Sequence, residues 1–471
     1  MNVTVLAFGS RGDAQPAVAL ASALAARGHP TRLVAPADFE ALTAGRGVGF
    51  HPLPFAAVKL LDEPEAQSLF SAGGNPLAVL RWLNGIGRKY NGVMARAALE
   101  GATGADVIVA TGVMDELGSM LAERLDVQCV HGWQQPMLAA RDFLFASGET
   151  APPPLPAWAN RAMFLAYEEA MWLVTRRVLR PARELYGLPA PPYTPALRRA
   201  VARGETLLLA YSEALLPRSR EWPANVVVTG WWFLEDGARW SPPSELEHFL
   251  VEGPTPIYVG FGSMTFRDRD ALRDVVLKAV ARVGARAVLG SGWGGLARGC
   301  LPPFICAVDE APHDWLFPRM AAIVHHGGAG TTGAAIRAGK PSVVTPFIAD
   351  QFAWARLLNA RGLAPTSLPH RTVNADALAA AIKTALHDEA MRERAKAIGT
   401  SVRAENGLVR AVEAIERSTC GESGSRYRDN ANGQATLTCA RSTPASGGEA
   451  ISSSQLNGGL GGDSSPSRRD P

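Results

Sequence analysis

Residues 324–358 read VHHGGAGTTGAAIRAGKPSVVTPFIADQFAWARLL. An apolar run delivers His325 and His326 into a turn whose glycines, among them Gly328 and Gly330 on either side of Ala329, leave backbone N–H groups unshielded. Thr331 and Thr332 then open a helix. Free N–H groups and the positive end of the helix dipole make such a turn an anion cradle. A diphosphate would gain two hydroxyls and an imidazole there as well. The chain has no GxxxxGK[ST] run, which argues against a P-loop NTPase. About twenty residues on, Asp350 and Gln351 stand side by side after another apolar run. A carboxylate that accepts and an amide that both donates and accepts can grip neighbouring hydroxyls of a sugar. Taken alone, Asp350 also reads as a helix cap and the glycines as a plain turn; together the two features suit a nucleotide-sugar.

A third chemical group lies far away in sequence, in VLAFGSRGDAQPAVALASALAARGHP at residues 5–30. Asp13 follows a buried-type strand and a Gly-Ser-Arg-Gly turn, at a strand's carboxyl end, where open parallel sheets place ligands. It reads as a general base for an incoming hydroxyl and also as a helix cap. A free Asp titrates near ~3.9 and a helix N-terminus lowers it further, which makes a weak base. Burial raises the value, and a proton that leaves late comes from an already acidified hydroxyl. His131, after the strand VQCV, is the rival base or an acceptor-pocket residue; Trp133, Trp82 and Phe143 are further candidate acceptor contacts. Asp-Arg-Asp at 268–270 has the spacing of metal-dependent glycosyltransferases of another fold. It falls in the opening turn of an expected helix, where charge–dipole attraction accounts for it, so no metal is expected.

The elements that must hold these groups alternate. VTVLAF, PTRLVAP, ADVIVATG and VQCVHGW read as continuous apolar strands, and QPAVALASALAARG and ADFEALTAGRG as helices closed by glycine. Strands without polar alternation, separated by helices, predict a parallel sheet covered on both faces. Residues 155–187 interrupt the pattern with an amphipathic, aromatic stretch, read as a helical pair, part of whose face can line an apolar cavity. A second alternation follows a Pro- and Trp-rich connector that holds one short strand: PIYVGFGS, ARAVLGSG, FICAVDE, AAIVHHGG and KPSVVTPF. The expected fold is α/β, with two Rossmann-like domains facing each other across a cleft. The expected boundaries are 1–215, a linker 216–243, a second domain 244–400, a C-terminal helix 401–417 and a disordered Ser/Gly-rich tail 418–471.

Composition narrows the partners. Lys plus Arg number 47 against 44 Asp plus Glu, a net charge of +3 spread along 471 residues, so no nucleic-acid partner is expected. Five cysteines without CxxC spacing argue against a disulfide framework or a zinc site and suit a reducing cytosol. No apolar run approaches the roughly 20 residues of a membrane span, and no signal segment is expected. A cytoplasmic location is the expectation.

HHGGAGTT followed by AGKPSVVTPFIADQFAWA resembles the donor-binding signature of nucleotide-sugar glycosyltransferases with the two-domain GT-B fold. GSRGDAQP at 9–16 and APHDWLFPRMAAIVHHGGAGTT at 311–332 resemble the branch that holds sterol glucosyltransferases and bacterial antibiotic glycosyltransferases. The resemblance spans residues 1 to about 417. It implies that His326 contacts the donor phosphates, that Gly328, Ala329, Gly330 and Thr331 wrap them, and that Asp350 and Gln351 hold the sugar. It further implies that Ser263 faces the diphosphate and that Trp293 lies near the nucleotide. Plant members stack the base on a Trp where this chain has Glu310; backbone near Val308 to Ala311 is the alternative reader of uracil or thymine. Plant relatives carry His in the turn of Asp13, and the sterol and antibiotic branch carries Asp. The implied activity is inverting transfer of a hexose, glucose foremost, from a UDP- or dTDP-sugar to an apolar acceptor such as a sterol, macrolide, polyketide or flavonoid. The nucleotide-sugar is a co-substrate and no cofactor is expected. A nucleotide-sugar 2-epimerase-like isomerase and a non-catalytic binding homologue are the alternatives.

Overall fold

Among the described residues, short and mostly apolar runs give twelve strands, and every pairing between them is parallel. A computed structural model describes residues 1–57, 59, 76–145, 155–262, 264, 269–292 and 300–420. Its first sheet comprises β1 (Val3–Leu6), β2 (Thr31–Pro36), β3 (Val48–Leu53), β4 (Val107–Thr111), β5 (Gln128–Trp133), β6 (Leu207–Leu209) and β7 (Val226–Val228). Its second comprises β8 (Ile257–Gly260), β9 (Ala287–Gly290), β10 (Ile305–Val308), β11 (Ile323–His325) and β12 (Ser342–Val344). Strand orders are β3-β2-β1-β4-β5-β6-β7 and β10-β9-β8-β11-β12. Strands such as β1, β4 and β8 are buried at every position, as a sheet covered on both faces requires.

The helices, numbered along the chain, are α1 (Arg11–Ala26), α2 (Pro76–Ala102), α3 (Asp115–Leu125), α4 (Ala157–Val178), α5 (Arg180–Leu185), α6 (Ala196–Ala202) and α7 (Ser244–Val251). The second half adds α8 (Arg269–Val283), α9 (His313–Leu316), α10 (Ala329–Arg337), α11 (Gln351–Ala360), α12 (Ala375–His387), α13 (Glu389–Ala404) and α14 (Gly407–Cys420). No helix of the described residues is long and apolar enough to cross a membrane.

Chain order reverses beside β1 in the first sheet and beside β8 in the second. Such switch points open a crevice at the carboxyl ends of the strands. The turns after β1, β4, β8 and β11 carry Ser10–Asp13, Gly112 and Val113, Gly262, and His326–Thr331, and all of them line one cleft.

Several expectations change. Residues 37–43 form a 3-10 helix rather than an α-helix, and Ala37 and Thr43 are its limits. The short strand expected in the connector 216–243 is β7, and it pairs with β6, so the connector extends the first sheet. On the aromatic stretch, Trp172 is buried, whereas Trp158, Met163, Tyr167 and Leu173 are exposed and none of the five lines the cleft. The expected helix 401–417 is two: α13 ends at Ala404 and α14 begins at Gly407. Residues 418–420 complete α14 instead of opening a tail; the rest of the expected tail lies outside the described residues.

The last helix packs on the first half. Ala411, Val412, Ala414 and Ile415 join the core formed by Val18, Leu20 and Leu24 of α1. Glu416 accepts from Arg27 Nε at 3.2 Å and pairs with His29 Nε2 at 2.9 Å. Exposed ion pairs contribute little, so the apolar contacts carry the docking. Ile415 is fully buried. Ile415→Ala should therefore cost about 2–5 kcal/mol in urea denaturation; a loss below roughly 1 kcal/mol would show that α14 is not anchored there.

Candidate active site

The cleft is about 990 Å³ and takes its walls from both sheets. On the first-half side, Ser10 caps α1, accepting from the Gly12 N–H at 3.2 Å, and Asp13 answers by accepting from Ser10 N at 2.8 Å and Ser10 Oγ at 3.1 Å. This is the reciprocal capping box. Gly9 permits it, since φ is 132° and a Cβ there would strike the Asp13 carboxylate. Capping is thus confirmed for Asp13, and its carboxylate still lines the cleft. Burial raises its pKa above the ordinary value, against the lowering effect of the Ser10 bonds.

On the opposite side, α10 begins with an N-cap, Gly328, that offers no side-chain cap, and with no acid in its first turn. The first intrahelical bond runs from Thr332 N–H to Gly328 C=O at 2.9 Å, which leaves the N–H groups of residues 329–331 facing outward from the helix end. Ala329, Gly330 and Thr331 line the cleft. Thr332 does not: it is fully buried, so one hydroxyl of the expected two reaches the cradle.

His326 is held edge-to-backbone by two glycines. A Cβ on Gly262 would come within 2.9 Å of its Cε1, and one on Gly328 would collide with its Nε2. Burial lowers its pKa to about 4, so the imidazole is neutral at physiological pH. Its Nδ1 is buried with no hydrogen-bond partner among the described residues. His325 differs: its Nδ1 accepts from the Gly327 N–H at 3.1 Å, and burial with the neighbouring histidine charges brings it to about 3. It locks the turn and does not line the cleft.

Asp350 heads α11, but its side chain makes no cap hydrogen bond. Oδ2 accepts from Trp354 Nε1 at 3.1 Å, and the residue lines the cleft. The preceding Ala349 sits at φ 49°, a left-handed conformation rare for a residue with a side chain. Burial first, and then the charge of Asp13, push the Asp350 carboxyl up to about 7. Gln351 also lines the cleft, yet its Oε1 already accepts from the N–H groups of Phe347 at 2.8 Å and Ile348 at 3.2 Å. The amide expected to donate and accept retains only donor capacity.

Trp133 lines the first-half wall of the cleft with Gln134 and Gln135, and Trp133 Nε1 and Gln134 Nε2 are buried without partners among the described residues. His131 is not on that wall. It is fully buried, its Nδ1 2.5 Å from Asp115 Oδ1 and its Nε2 3.0 Å from Glu205 Oε2. Burial pulls its pKa down, but the Asp115 charge prevails and raises it well above the ordinary value. An imidazolium fixed between two carboxylates cannot receive a substrate proton, which removes His131 as base and as pocket lining. Trp82 packs against the cores of both halves, and Phe143 lies edge-on to Trp222 at 5.8 Å; neither lines the cleft. Ser263, Trp293 and Asp268 fall outside the described residues. Val308, Asp309, Glu310 and Ala311 line the cleft, and Glu310 pairs with Arg11 across it at 2.7 Å.

Sequence reading missed Gln134, Tyr258 and His313 in the lining. The GWQQP turn after β5 was the available signal for the first. His313, inside the APHDWLF run that carries the family resemblance, stacks on Phe317 at 4.1 Å.

Known proteins agree with this geometry. Residues 3–93 match the glycosyltransferase family 28 N-terminal domain, and residues 274–412 match the erythromycin biosynthesis protein CIII-like C-terminal domain. The solved kitacinnamycin glycotransferase superposes with a TM-score of 0.66 at 18% identity, over 88% of this chain and 98% of that one. The glycosyltransferase VinC in complex with DTDP gives 0.62 at 20% identity, over 89% and 100%. The chain has the GT-B fold of these glycosyltransferases. A sterol 3-beta-glucosyltransferase of Emericella nidulans is 30% identical over 435 residues, 88% of this GT-B chain and 30% of the relative. The chain thus spans less than a third of that relative's length.

The Asp350 shift makes a stability prediction. Unfolded, the group loses its proton near the ordinary carboxylate value of 3.8; folded, it keeps it to about 7. Between those values the native state binds the extra proton, so this contribution to stability is full at low pH and is lost as pH rises toward 7. Asp350→Asn removes the dependence. Its melting temperature should gain on the parent more at pH 8 than at pH 4; equal differences at both would mean that the carboxyl is unshifted.

Proposed function

We propose that this GT-B chain is an inverting glycosyltransferase that moves a hexose, glucose foremost, from a UDP- or dTDP-sugar to a hydroxyl of an apolar acceptor. One observation carries the reading: a carboxylate at the end of β1 and an uncapped helix N-terminus after β11 line the same cleft from opposite halves. The sterol 3-beta-glucosyltransferase relative and the DTDP-bound neighbour support the acceptor class and the donor class respectively.

In this reading the diphosphate lies at the start of α10, where the N–H groups of residues 329–331, the Thr331 hydroxyl and the His326 imidazole meet its charge. The neutral state of His326 fits hydrogen bonding rather than ion pairing. These donors stabilise the leaving diphosphate without calling for a metal. Asp350 takes sugar hydroxyls as an acceptor and Gln351 as a donor only. The acceptor hydroxyl, against the Trp133 and Gln134 wall, attacks the anomeric carbon from the face opposite the diphosphate. A new C–O bond forms, the bond to the diphosphate breaks with its electron pair, and the hydroxyl proton passes to Asp13. Both Ser10 bonds fall on Oδ2, which leaves Oδ1 to receive it.

The product test is direct. Protein incubated with UDP-glucose and a panel of sterol, macrolide and phenolic acceptors should release UDP and yield products heavier by one hexose in mass spectra. Conversion of the donor to an isomer with no UDP released would favour the epimerase instead. For Asp13, Asn preserves an acceptor for the Ser10 N–H but cannot take the proton. Asp13→Asn should melt within a degree or two of the parent and lose turnover by about 10²–10⁴-fold. Retention of most turnover would reduce Asp13 to a cap.

A further inference from the structure

The far end of α10 has its own chemistry. The helix stops at Arg337, and the turn through Ala338, Gly339 and Lys340 meets one face of α13. Gly399 lets the two approach, since a Cβ there would fall 2.6 Å from the Ile336 carbonyl oxygen and 2.9 Å from the Gly339 nitrogen. A Cβ on Gly339 would in turn lie 3.3 Å from Lys396 Cα. Arg392, Lys396, Gly399 and Arg403 are spaced so that all share this face of α13. The close approach therefore assembles Lys340, Arg392, Lys396 and Arg403 around a second pocket, of about 500 Å³, closed by Thr255, Met320 and Pro341.

Helix capping explains only part of this charge. Arg403 gives Nη1 to the Arg337 carbonyl at 2.6 Å and Nη2 to Thr400 Oγ1 at 3.0 Å, which settles the carbonyl end of α10. Lys340, Arg392 and Lys396 make no ion pair among the described residues, and Glu393 is the one acid in the lining. Like charges one turn apart repel. Burial, and then the charge of Arg392, lower the Lys340 pKa. Three cations gathered in a concave site beside a single acid, Glu393, leave a net positive lining arranged for an anion, and Arg and Lys both bind phosphate oxygens well.

We propose that this pocket is a second anion site, separate from the cleft, that takes a small soluble phosphate-bearing molecule of the pyrophosphate class through Lys340, Arg392 and Lys396. The site stands independently of the transferase reading. It shares Ala338 and Arg403 with the cleft lining, so a common wall separates the two.

Inorganic pyrophosphate added to the full chain at low salt should raise its melting temperature by ligand linkage. Lys340→Gln/Lys396→Gln, at exposed or half-buried positions, should remove at least half of that gain. UDP should stabilise parent and variant alike if the cleft binds it; a loss of UDP stabilisation in both would count against the transferase reading and leave this one intact. In the parent, pyrophosphate should also shield Lys340 and Lys396 from acetic anhydride several-fold, a readout that needs no variant. An undiminished pyrophosphate gain in the double variant, or equal acetylation with and without the anion, would overturn the site. Retention on phosphatidylglycerol vesicles without any response to pyrophosphate would overturn the soluble ligand.

Discussion

Because every strand pairing in both sheets is parallel, the carboxyl ends of the strands lie together at one edge of each sheet, and the turns after β1, β4, β8 and β11 are directed at one cleft. This constraint decides what the chemistry can be made of. Such turns deliver capping side chains, unpaired N–H groups and glycines, and the site consists of those parts: a capping box around Asp13, an uncapped α10, and His326 fitted between Gly262 and Gly328. The helix termini face the cleft with positive ends, from α1 on one side and α10 on the other.

Two desolvated carboxylates sit in this cleft. Burial raises both Asp13 and Asp350, and the charge of Asp13 adds to the rise of Asp350, which reaches about 7. The Ser10 N–H and hydroxyl bond to Asp13 and oppose its rise, whereas Asp350 has the Trp354 N–H as its side-chain donor. Asp350 is thereby ready to hold a proton near neutral pH.

Much of this was legible in the amino-acid sequence, for a local reason. Uninterrupted apolar runs and glycine stops announced the parallel sheets, and GSRGD and HHGGAGTT carried their turn chemistry within a few residues. What was not legible depends on partners distant in sequence. Thr332 reads like Thr331 until the helix phase buries it, and Gln351 reads as a sugar contact until its carbonyl is found on the Phe347 and Ile348 amides. The short strand of the Pro- and Trp-rich connector was legible, but its pairing as β7 on the edge of β6 was not. The α13 break at Glu405 and Asn406 leaves no periodicity to detect, since apolar residues continue on both sides of it.

His131 shows the same limit in its sharpest form and supplies the last step. By position it matches Asp13, a titratable residue near a strand's carboxyl end, and Trp133 two residues on does line the cleft. What separates them is pairing. Asp115 is almost fully buried at the start of α3 and Glu205 lies just before β6, so the imidazolium between them ties β5 to the elements on either side of it. A buried charge with both partners in place has its hydrogen bonds filled, and removing one partner would leave the other stranded at a cost of about 3–5 kcal/mol. The groups in the cleft are the opposite case: His326 Nδ1, Trp133 Nε1 and Gln134 Nε2 are buried and unfilled. In this fold the satisfied buried charge is scaffolding, and the three unfilled atoms on cleft-lining residues remain available to a ligand, unlike those of His325 and Thr332, which are unfilled but away from the cleft.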